Sequence, residues 1–322
     1  MLRVTLGEGG SFMFKRSTNI GDRLFKGIAF FFGFILIALI ALIISELFNS
    51  STASFQEFGF GFLTGQVWSA GEDIFGALPF IMGTILSSII ALFIATPLAV
   101  GIAIYLVEMA PDWISKPVGF LVELLAAIPS IIYGMWGIFV LGPFLIKYVA
   151  PPITETLGET IPLFAGPFYG VGLVTAGIVL AIMILPTIAS ISRDVLHTVP
   201  YTQREGAYGI GATKWEMIRI AVLTYARSGI LGAMIIGLGR AIGETMAVAL
   251  VIGNNNSVPE SIFQPAATMA SVIANEFGEA STGLLRSALF EIGLVLFVVT
   301  FLVNLLARVL VWSISRGTQE VK

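Results

Sequence analysis

Residues 226–252 read ARSGILGAMIIGLGRAIGETMAVALVI, an apolar run that carries an arginine and a glutamate, Arg240 and Glu244, near its middle. The run exceeds the roughly 20 apolar residues that a helix needs to cross a bilayer. A lone charge at the bilayer centre costs at least ~2.5–3.5 kcal/mol, so two charges there are not expected to face lipid. Their spacing of four residues predicts that both lie on one helix face, against a neighbouring helix or a wet cavity.

The rest of the chain has the same apolar character. Of its 322 residues, 57% are hydrophobic and 11% are charged, whereas soluble domains carry roughly 25% charged residues; the mean hydropathy is +0.95. The continuous apolar runs favour helices over a β-barrel, and the sequence predicts an all-α polytopic membrane protein with six transmembrane helices. The predicted spans cover residues 26–48, 80–107, 117–147, 169–192, 226–252 and 284–312.

Lysine and arginine are distributed unevenly between the loops. If the N-terminus is cytoplasmic, 14 of the 17 basic residues fall on the cytoplasmic side, in loops, tails or the inner ends of spans, and the exceptions are Lys147, Arg240 and Arg286. Because positive residues concentrate on the cytoplasmic side, both termini are predicted to be cytoplasmic, in the inner (cytoplasmic) membrane of a cell.

The predicted organisation has three parts. An N-terminal cytoplasmic segment, the first transmembrane helix and an outer loop occupy 1–75, the transmembrane core occupies 76–312, and a cytoplasmic tail occupies 313–322. The first apolar run, 28–47, is longer than the ~7–15 residues of a signal-peptide core, so it is predicted to be retained as a span.

Several classes of chemistry are excluded by residues that the sequence lacks. The chain has no cysteine and a single histidine, His197, which excludes disulfides, thiolate nucleophiles and multi-histidine metal sites. No glycine is followed by lysine, so the chain has no P-loop to hold ATP phosphates. We expect no cofactor, no metal, no nucleic-acid binding and no ATP hydrolysis by this chain itself.

The predicted cytoplasmic loop 193–225 contains the string HTVPYTQREGAYGIGATKWEMIR. Two short helices are expected, the first opened by Thr198 as N-cap and ended near Gly211, the second opened by a capping box of Thr213 and Glu216. Taken alone, the pattern favours an ordered loop that simply returns the chain to the membrane.

This loop resembles the cytoplasmic loop of ATP-binding-cassette import permeases. Their pattern is Glu-Ala-Ala, a Gly four residues after the last Ala, and a later Ile-x-Leu-Pro. Matching positions are Glu205, Ala207, Gly211 and Leu223, and departures are Gly206, Ala221 and Thr224. In that family the loop is a coupling helix that docks on an ATPase. The resemblance implies an ATPase-coupling set of Glu205, Gly206, Ala207, Tyr208 and Gly211.

Two longer strings, ELLAAIPSIIYG at 123–134 and GLGRAIGETMAV at 237–248, are similar to the phosphate-import permeases of the PstC type. The sister PstA type shares related strings. The resemblance covers roughly 75–312 and implies the type I importer permease fold with phosphate as substrate. It also implies a heterodimer with a PstA-type permease, two ATPase subunits and a periplasmic phosphate-binding protein.

Five residues are candidates for the substrate pathway. Arg240 is expected to contact the anion because its planar guanidinium matches oxyanions in pairs, and Glu244 is expected to hold or release that arginine; the alternative is a structural ion pair. Ser130 and Thr245 are candidate donors, with bonding to their own backbone as the alternative. Glu123, six residues before a proline, is either a gating residue or a satisfied acid beside a kink.

Two other functions were weighed against an ATP-driven importer. A secondary anion transporter driven by an ion gradient is expected to show inverted repeats and paired broken helices, and neither is evident in the sequence. A membrane scaffold without transport does not explain two charges in the middle of a span.

Overall fold

The computed structural model of the chain describes residues 20–156, 158, 160–280 and 282–316. The predicted cytoplasmic N-terminal segment up to residue 19 lies outside the described residues, as does the predicted tail from residue 317 onward. Within the described chain, six helices are long and apolar enough to cross a membrane, which confirms the predicted all-α polytopic fold. These six are Gly21–Ser50, Leu78–Met109, Ser130–Thr156, Leu173–His197, Lys214–Ile242 and Gly283–Trp312.

The α-helices, in chain order, are α1 Ile20–Ser50, α2 Thr52–Phe58, α3 Gly61–Thr64, α4 Leu78–Ile104, α5 Asp112–Ala126, α6 Ser130–Trp136, α7 Gly142–Phe144, α8 Ala150–Thr156, α9 Leu173–His197, α10 Tyr201–Gly209, α11 Lys214–Met217, α12 Leu223–Ile242, α13 Met246–Val251, α14 Met269–Glu276 and α15 Gly283–Arg316. Wider π-helical turns extend or join them at Tyr105–Met109, Gly137–Leu141, Leu145–Val149 and Ile218–Val222. Two 3-10 turns, Pro162–Phe164 and Phe277–Glu279, and an antiparallel pair of strands, β1 Trp68–Ser69 and β2 Ile74–Phe75, complete the described elements.

The chain divides into two units, residues 1–49 and residues 50–322. Within the first unit, the described part is the long helix α1, whose apolar side chains are exposed around its circumference. The second unit contains the remaining helices and the buried core.

Helices α4 and α9 form the centre of the second unit. Alanines at 91, 95 and 99 on α4 are fully buried against α9. The two backbones approach closely because small residues line the contact. At Gly177 on α9, for example, an added Cβ would overlap the side chain of Ile90 on α4. Two of the segments with candidate functional residues continue from these helices, since α5 follows α4 and α10 follows α9 in the chain.

The third span differs from its prediction as one helix over 117–147. Helix α5 ends at Ala126, and Pro129 has an extended backbone (φ −57°, ψ 137°) and is the N-cap of α6. Proline lacks the N–H that a continuous helix would use and disfavours a helical residue before it, so the chain breaks there. The membrane-crossing segment runs instead from Ser130 to Thr156.

Pro151 and Pro152, which follow the predicted third span, do not interrupt the helix there. Both prolines lie in the first turn of α8, directly after the π-helical turn Leu145–Val149. The helix runs through both prolines without a break, from Ser130 to Thr156, and the preceding π-helical turn marks the place where the regular hydrogen-bond pattern changes.

The fifth span is also interrupted. Helix α12 ends at Ile242, residues 243–245 are not helical, and α13 begins at Met246. Arg240 and Glu244 therefore do not lie on one face of a continuous helix, which corrects the prediction from their spacing. Gly243 disfavours helix, and the side chain of Glu244, one residue before the N-cap Thr245, accepts a hydrogen bond from the N–H of Ala247 at the start of the new helix.

Candidate anion pathway and coupling segment

The half-helices α6 and α13 pack side by side and run in the same direction. An added Cβ on Gly134 would lie 3.0 Å from the Cα of Ala247, and one on Gly137 would lie 2.7 Å from Cγ1 of Val251. Contact positions thus advance together along both helices. This parallel register places Ser130, the first residue of α6, beside the start of α13. Two helix interruptions therefore lie at one level of the second unit, contrary to the expectation of no paired broken helices.

Tyr133 joins the two sides of the first interruption. Its hydroxyl donates a hydrogen bond to the carbonyl oxygen of Leu125, at 2.7 Å across the break between α5 and α6. The Leu125 carbonyl also accepts from the backbone N–H of Ile128 at 3.4 Å, and Tyr133 adds a side-chain donor at a helix end where carbonyl groups lack their usual i+4 partners. This role of Tyr133 is not predicted above, although a tyrosine four residues after Pro129 is a local signal for it.

Arg240 lies in the last turn of α12, and its side chain is exposed in this chain. Its Nη1 donates a hydrogen bond to Oγ1 of Thr187 on α9 at 3.3 Å. Among the residues that the structure describes, no carboxylate oxygen lies within 4.0 Å of its guanidinium, so the expected contact between Glu244 and Arg240 is not formed. Because a guanidinium has five N–H donors, most of them are available to an anion.

The two polar residues of the second interruption bond to nearby backbone. Glu244 accepts from the N–H of Ala247 at 3.3 Å, and the hydroxyl of Thr245 donates to the carbonyl of Gly243 at 3.3 Å. For Thr245 this is the alternative that the sequence left open. Glu244 defines the start of α13, close in sequence to Arg240 but without pairing with it.

Glu123 is separate from the other four pathway candidates. It lies on α5, and its Oε1 is 2.6 Å from Nη2 of Arg193 on α9. The two side chains are 52% and 22% exposed, respectively. Gly119 allows this contact, since an added Cβ there would overlap the Arg193 guanidinium. The geometry matches the alternative in which Glu123 is an acid paired with a neighbouring base. A partly exposed ion pair of this kind contributes about 0–1 kcal/mol to stability.

The coupling segment contains one separate short helix, α10, and not the two that were predicted, because α11 continues without a break into the fifth span, Lys214–Ile242. The start of α10 also differs from the prediction. The N-cap of α10 is Pro200, whereas the Thr198 hydroxyl donates to the carbonyl of Val195 at the end of α9. Gly211, with φ +87°, ends α10 in the left-handed conformation that favours glycine. The predicted capping box is confirmed: Thr213 N–H donates to Glu216 at 2.8 Å, and Glu216 N–H donates to Thr213 Oγ1 at 3.4 Å.

The predicted ATPase-coupling residues divide into two groups. Those exposed to solvent are Glu205, Gly206, Tyr208 and Gly211. Ala207 instead is buried and packs in a cluster with Leu196, Met217 and Val222 of the neighbouring helices. The structure therefore assigns Ala207 to the attachment of α10 to its own chain. The helix α10 is amphipathic. One face carries Glu205 and is exposed, and the opposite face carries Ala207 and covers the apolar cluster.

Gly206 provides a test of the coupling surface, since it stands where the related loop pattern has alanine. An added Cβ at this position meets nothing within 4 Å. We expect Gly206→Ala to keep full uptake and to raise the free energy of unfolding by up to about 1 kcal/mol, because glycine weakens a helix interior. Thermal unfolding in detergent and uptake in vesicles measure both quantities.

The matched control is Gly211→Ala, which is expected to destabilise α10 by about 1–2 kcal/mol because of its positive φ. Loss of uptake in Gly206→Ala with normal protein levels would show that the exposed face tolerates no added methyl group.

Comparison with known proteins places this geometry in a family. Residues 95–316 match the family described as binding-protein-dependent transport system inner membrane component. The phosphate transport system permease protein PstC of Pasteurella multocida is 47% identical over 302 residues, which cover 92% of this chain and 94% of that protein. PstC of Mesorhizobium japonicum is 48% identical over 288 residues, covering 88% of each chain.

The chain belongs to the PstC family of permeases. It is a multi-pass inner-membrane component of an ATP-binding-cassette importer and is not the ATPase of that system. Membership of the PstC family also excludes the alternative of a secondary transporter driven by an ion gradient.

Two solved structures have the same fold as this PstC-family chain. A chain of the MetNI methionine ABC transporter in an inward-facing conformation aligns with a TM-score of 0.53 and 18% identity, covering 72% of this chain and 93% of that one. A chain of a bacterial importer of the polysaccharide alginate aligns with a TM-score of 0.57 and 17% identity, covering 90% and 99%. At this identity the likeness confirms the predicted importer permease fold alone.

Proposed function

We propose that this chain is the permease subunit of an ATP-driven phosphate importer and that phosphate passes Arg240. The observation that carries the proposal is the exposed guanidinium of Arg240 at the interruption of a span, with no carboxylate within 4.0 Å among the described residues. Arginine remains charged at any physiological pH and pairs its planar fork with two phosphate oxygens. The names of the PstC relatives support phosphate as the anion.

The remaining pathway residues have different proposed roles. Ser130 and Thr245 begin the two half-helices and present hydroxyl groups at the level of the interruptions. Glu244 is proposed to cap α13 and to limit how tightly an anion is held nearby, because like charges repel. Glu123 is proposed to hold α5 against α9 through Arg193 rather than to contact phosphate.

The partners proposed for this chain are a PstA-type permease as heterodimer, two ATPase subunits and a periplasmic phosphate-binding protein. Exposure of Glu205 and Tyr208 on α10 supports docking of an ATPase on that helix. We propose that both termini are cytoplasmic and that 76–312 forms the transmembrane core, since most basic residues then lie inside. Copurification of an ATPase and a second permease in fixed stoichiometry tests this assembly.

Cysteine labelling tests the pathway directly, because the chain contains no cysteine of its own. We expect Thr245→Cys to react with a charged, water-soluble methanethiosulfonate reagent in the assembled complex, and phosphate to slow the reaction. The matched control is Phe93→Cys on α4, whose native side chain is 82% exposed on an apolar surface that we expect to face lipid. The control is expected not to react.

The proposal fails if Thr245→Cys is unreactive both at rest and during ATP turnover, while a cysteine in the α10 surface reacts normally. Water would then not reach the interruption of the fifth span in either state.

A further inference from the structure

Arg204, on the coupling helix α10, is tied to the end of the second span. Its Nη2 lies 2.7 Å from Oε1 of Glu108, and its Nε donates to the same oxygen at 3.1 Å. The two side chains are only 13% and 6% exposed, respectively. Glu108 belongs to the π-helical turn that extends α4. The pair therefore joins segments that are 96 residues apart in sequence.

The same guanidinium also binds the end of the fourth span. Nη2 donates to the carbonyl oxygen of Leu196 at 3.1 Å, and Nη1 donates to that of Val199. Leu196 belongs to the last turn of α9, whereas Val199 lies in the connection between α9 and α10. Carbonyl groups in the last turn of a helix lack their usual partners within the helix, and Arg204 adds a charged donor to that of Leu196. One side chain thus connects α10 to both α4 and α9.

An apolar layer lies beside this ion pair and joins the same helices. Its buried members are Ala103, Leu196, Val199, Ala207, Met217, Ile218, Val222, Ala226 and Ile230. Apolar contacts are non-directional and allow neighbouring helices to slide, whereas a buried pair with several hydrogen bonds has one geometry. The ion pair is therefore the part of this junction that fixes the position of α10 relative to the spans.

We propose that the Arg204–Glu108 pair transmits displacement of α10 to the second and fourth spans during ATP turnover. This inference rests on the proposed docking of an ATPase on α10, and both residues act as positioning residues that touch neither ATP nor phosphate. With the pair intact, movement of α10 pulls α4 through Glu108 and α9 through the carbonyl group of Leu196. Without it, α10 turns about its connections at Pro200 and Gly211, and ATP is hydrolysed without transport.

The test measures phosphate transported per ATP hydrolysed by the complete complex in proteoliposomes, with the ATPase, the second permease and the binding protein present. Glu108→Gln keeps the size of the side chain and removes the charge. We expect it to lower the ratio of phosphate to ATP at least fivefold, while the amount of copurified ATPase and its hydrolysis rate stay within about twofold of the unmodified complex. A purely structural role would lower assembly and hydrolysis together.

The matched control is Asp112→Asn, which removes a carboxylate from the exposed pair with Lys116 in the first turns of α5. It is expected to keep the original ratio. If Glu108→Gln accumulates poorly, Glu108→Asp is measured instead; it keeps the charge but lengthens the contact with Arg204, and a lowered ratio is again expected.

An unchanged ratio of phosphate to ATP in the accumulating Glu108 variant would overturn the proposed link. The proposed ATPase docking fails in a different way, since no ATPase would then copurify with the unmodified chain.

Discussion

Replacement of Arg240 by glutamine is expected to abolish phosphate uptake while the chain still inserts and assembles. Glutamine keeps a hydrogen-bond donor and much of the side-chain length of arginine, but it lacks the positive charge and the paired N–H donors of the planar guanidinium. Hydrogen bonds to charged groups contribute about 1.5–3 kcal/mol each, so loss of two such bonds to phosphate corresponds to a fall in rate of at least ~100-fold. The initial rate of radiolabelled phosphate uptake, normalised to the amount of assembled complex, is the measurement.

Arg240→Gln is expected to leave stability nearly unchanged, because the arginine is exposed and its described protein contact is one 3.3 Å hydrogen bond to Thr187. The matched control is Arg308→Gln near the end of α15, which removes an exposed arginine elsewhere in a span and is expected to keep uptake. Arg240→Lys is expected to give an intermediate rate, since it keeps the charge and loses paired recognition. Normal uptake in Arg240→Gln would disprove the proposed anion path.

Gly134→Leu is expected to eliminate transport by separating the two half-helices. An added Cβ at this position already lies 2.8 Å from Cδ1 of Leu250 and 3.0 Å from the Cα of Ala247, and the latter is backbone that cannot rotate away. Overpacking by a few methylene groups typically costs about 1–3 kcal/mol, and a leucine here displaces α13 together with the segment that carries Glu244 and Thr245.

The measurements are uptake and the midpoint of thermal unfolding in detergent. Gly134→Ala is expected to reduce both partially, because one methyl group requires a shift of a few tenths of an ångström. The matched control, Gly101→Leu on α4, adds the same side chain where nothing lies within 4 Å and is expected to be neutral. Equal behaviour of the leucine variants at 134 and 101 would contradict the packing of α6 on α13.

The interruptions of the third and fifth spans were not equally predictable. Pro129 gave a local signal, because proline removes an N–H wherever it occurs in a helix. The sequence around Gly243 gave a weaker signal, and the spacing of Arg240 and Glu244 suggested a continuous helix. The helix is not continuous there because the Glu244 side chain accepts a hydrogen bond from the N–H of Ala247 and because α13 packs against Gly134 of α6.

By itself the sequence determined the membrane fold, the number of spans, the capping box of Thr213 and Glu216, and Arg240 as an unusual charge within a span. These follow from local composition and spacing, since lipid accepts only long apolar helices and caps involve neighbouring residues. Only the tertiary structure decided that Glu123 pairs with Arg193, that Arg204 binds Glu108, and that Ala207 faces the core. The two ion pairs join residues that are 70 and 96 positions apart in sequence. Which donor meets which acceptor depends on helix packing, which no local sequence pattern encodes.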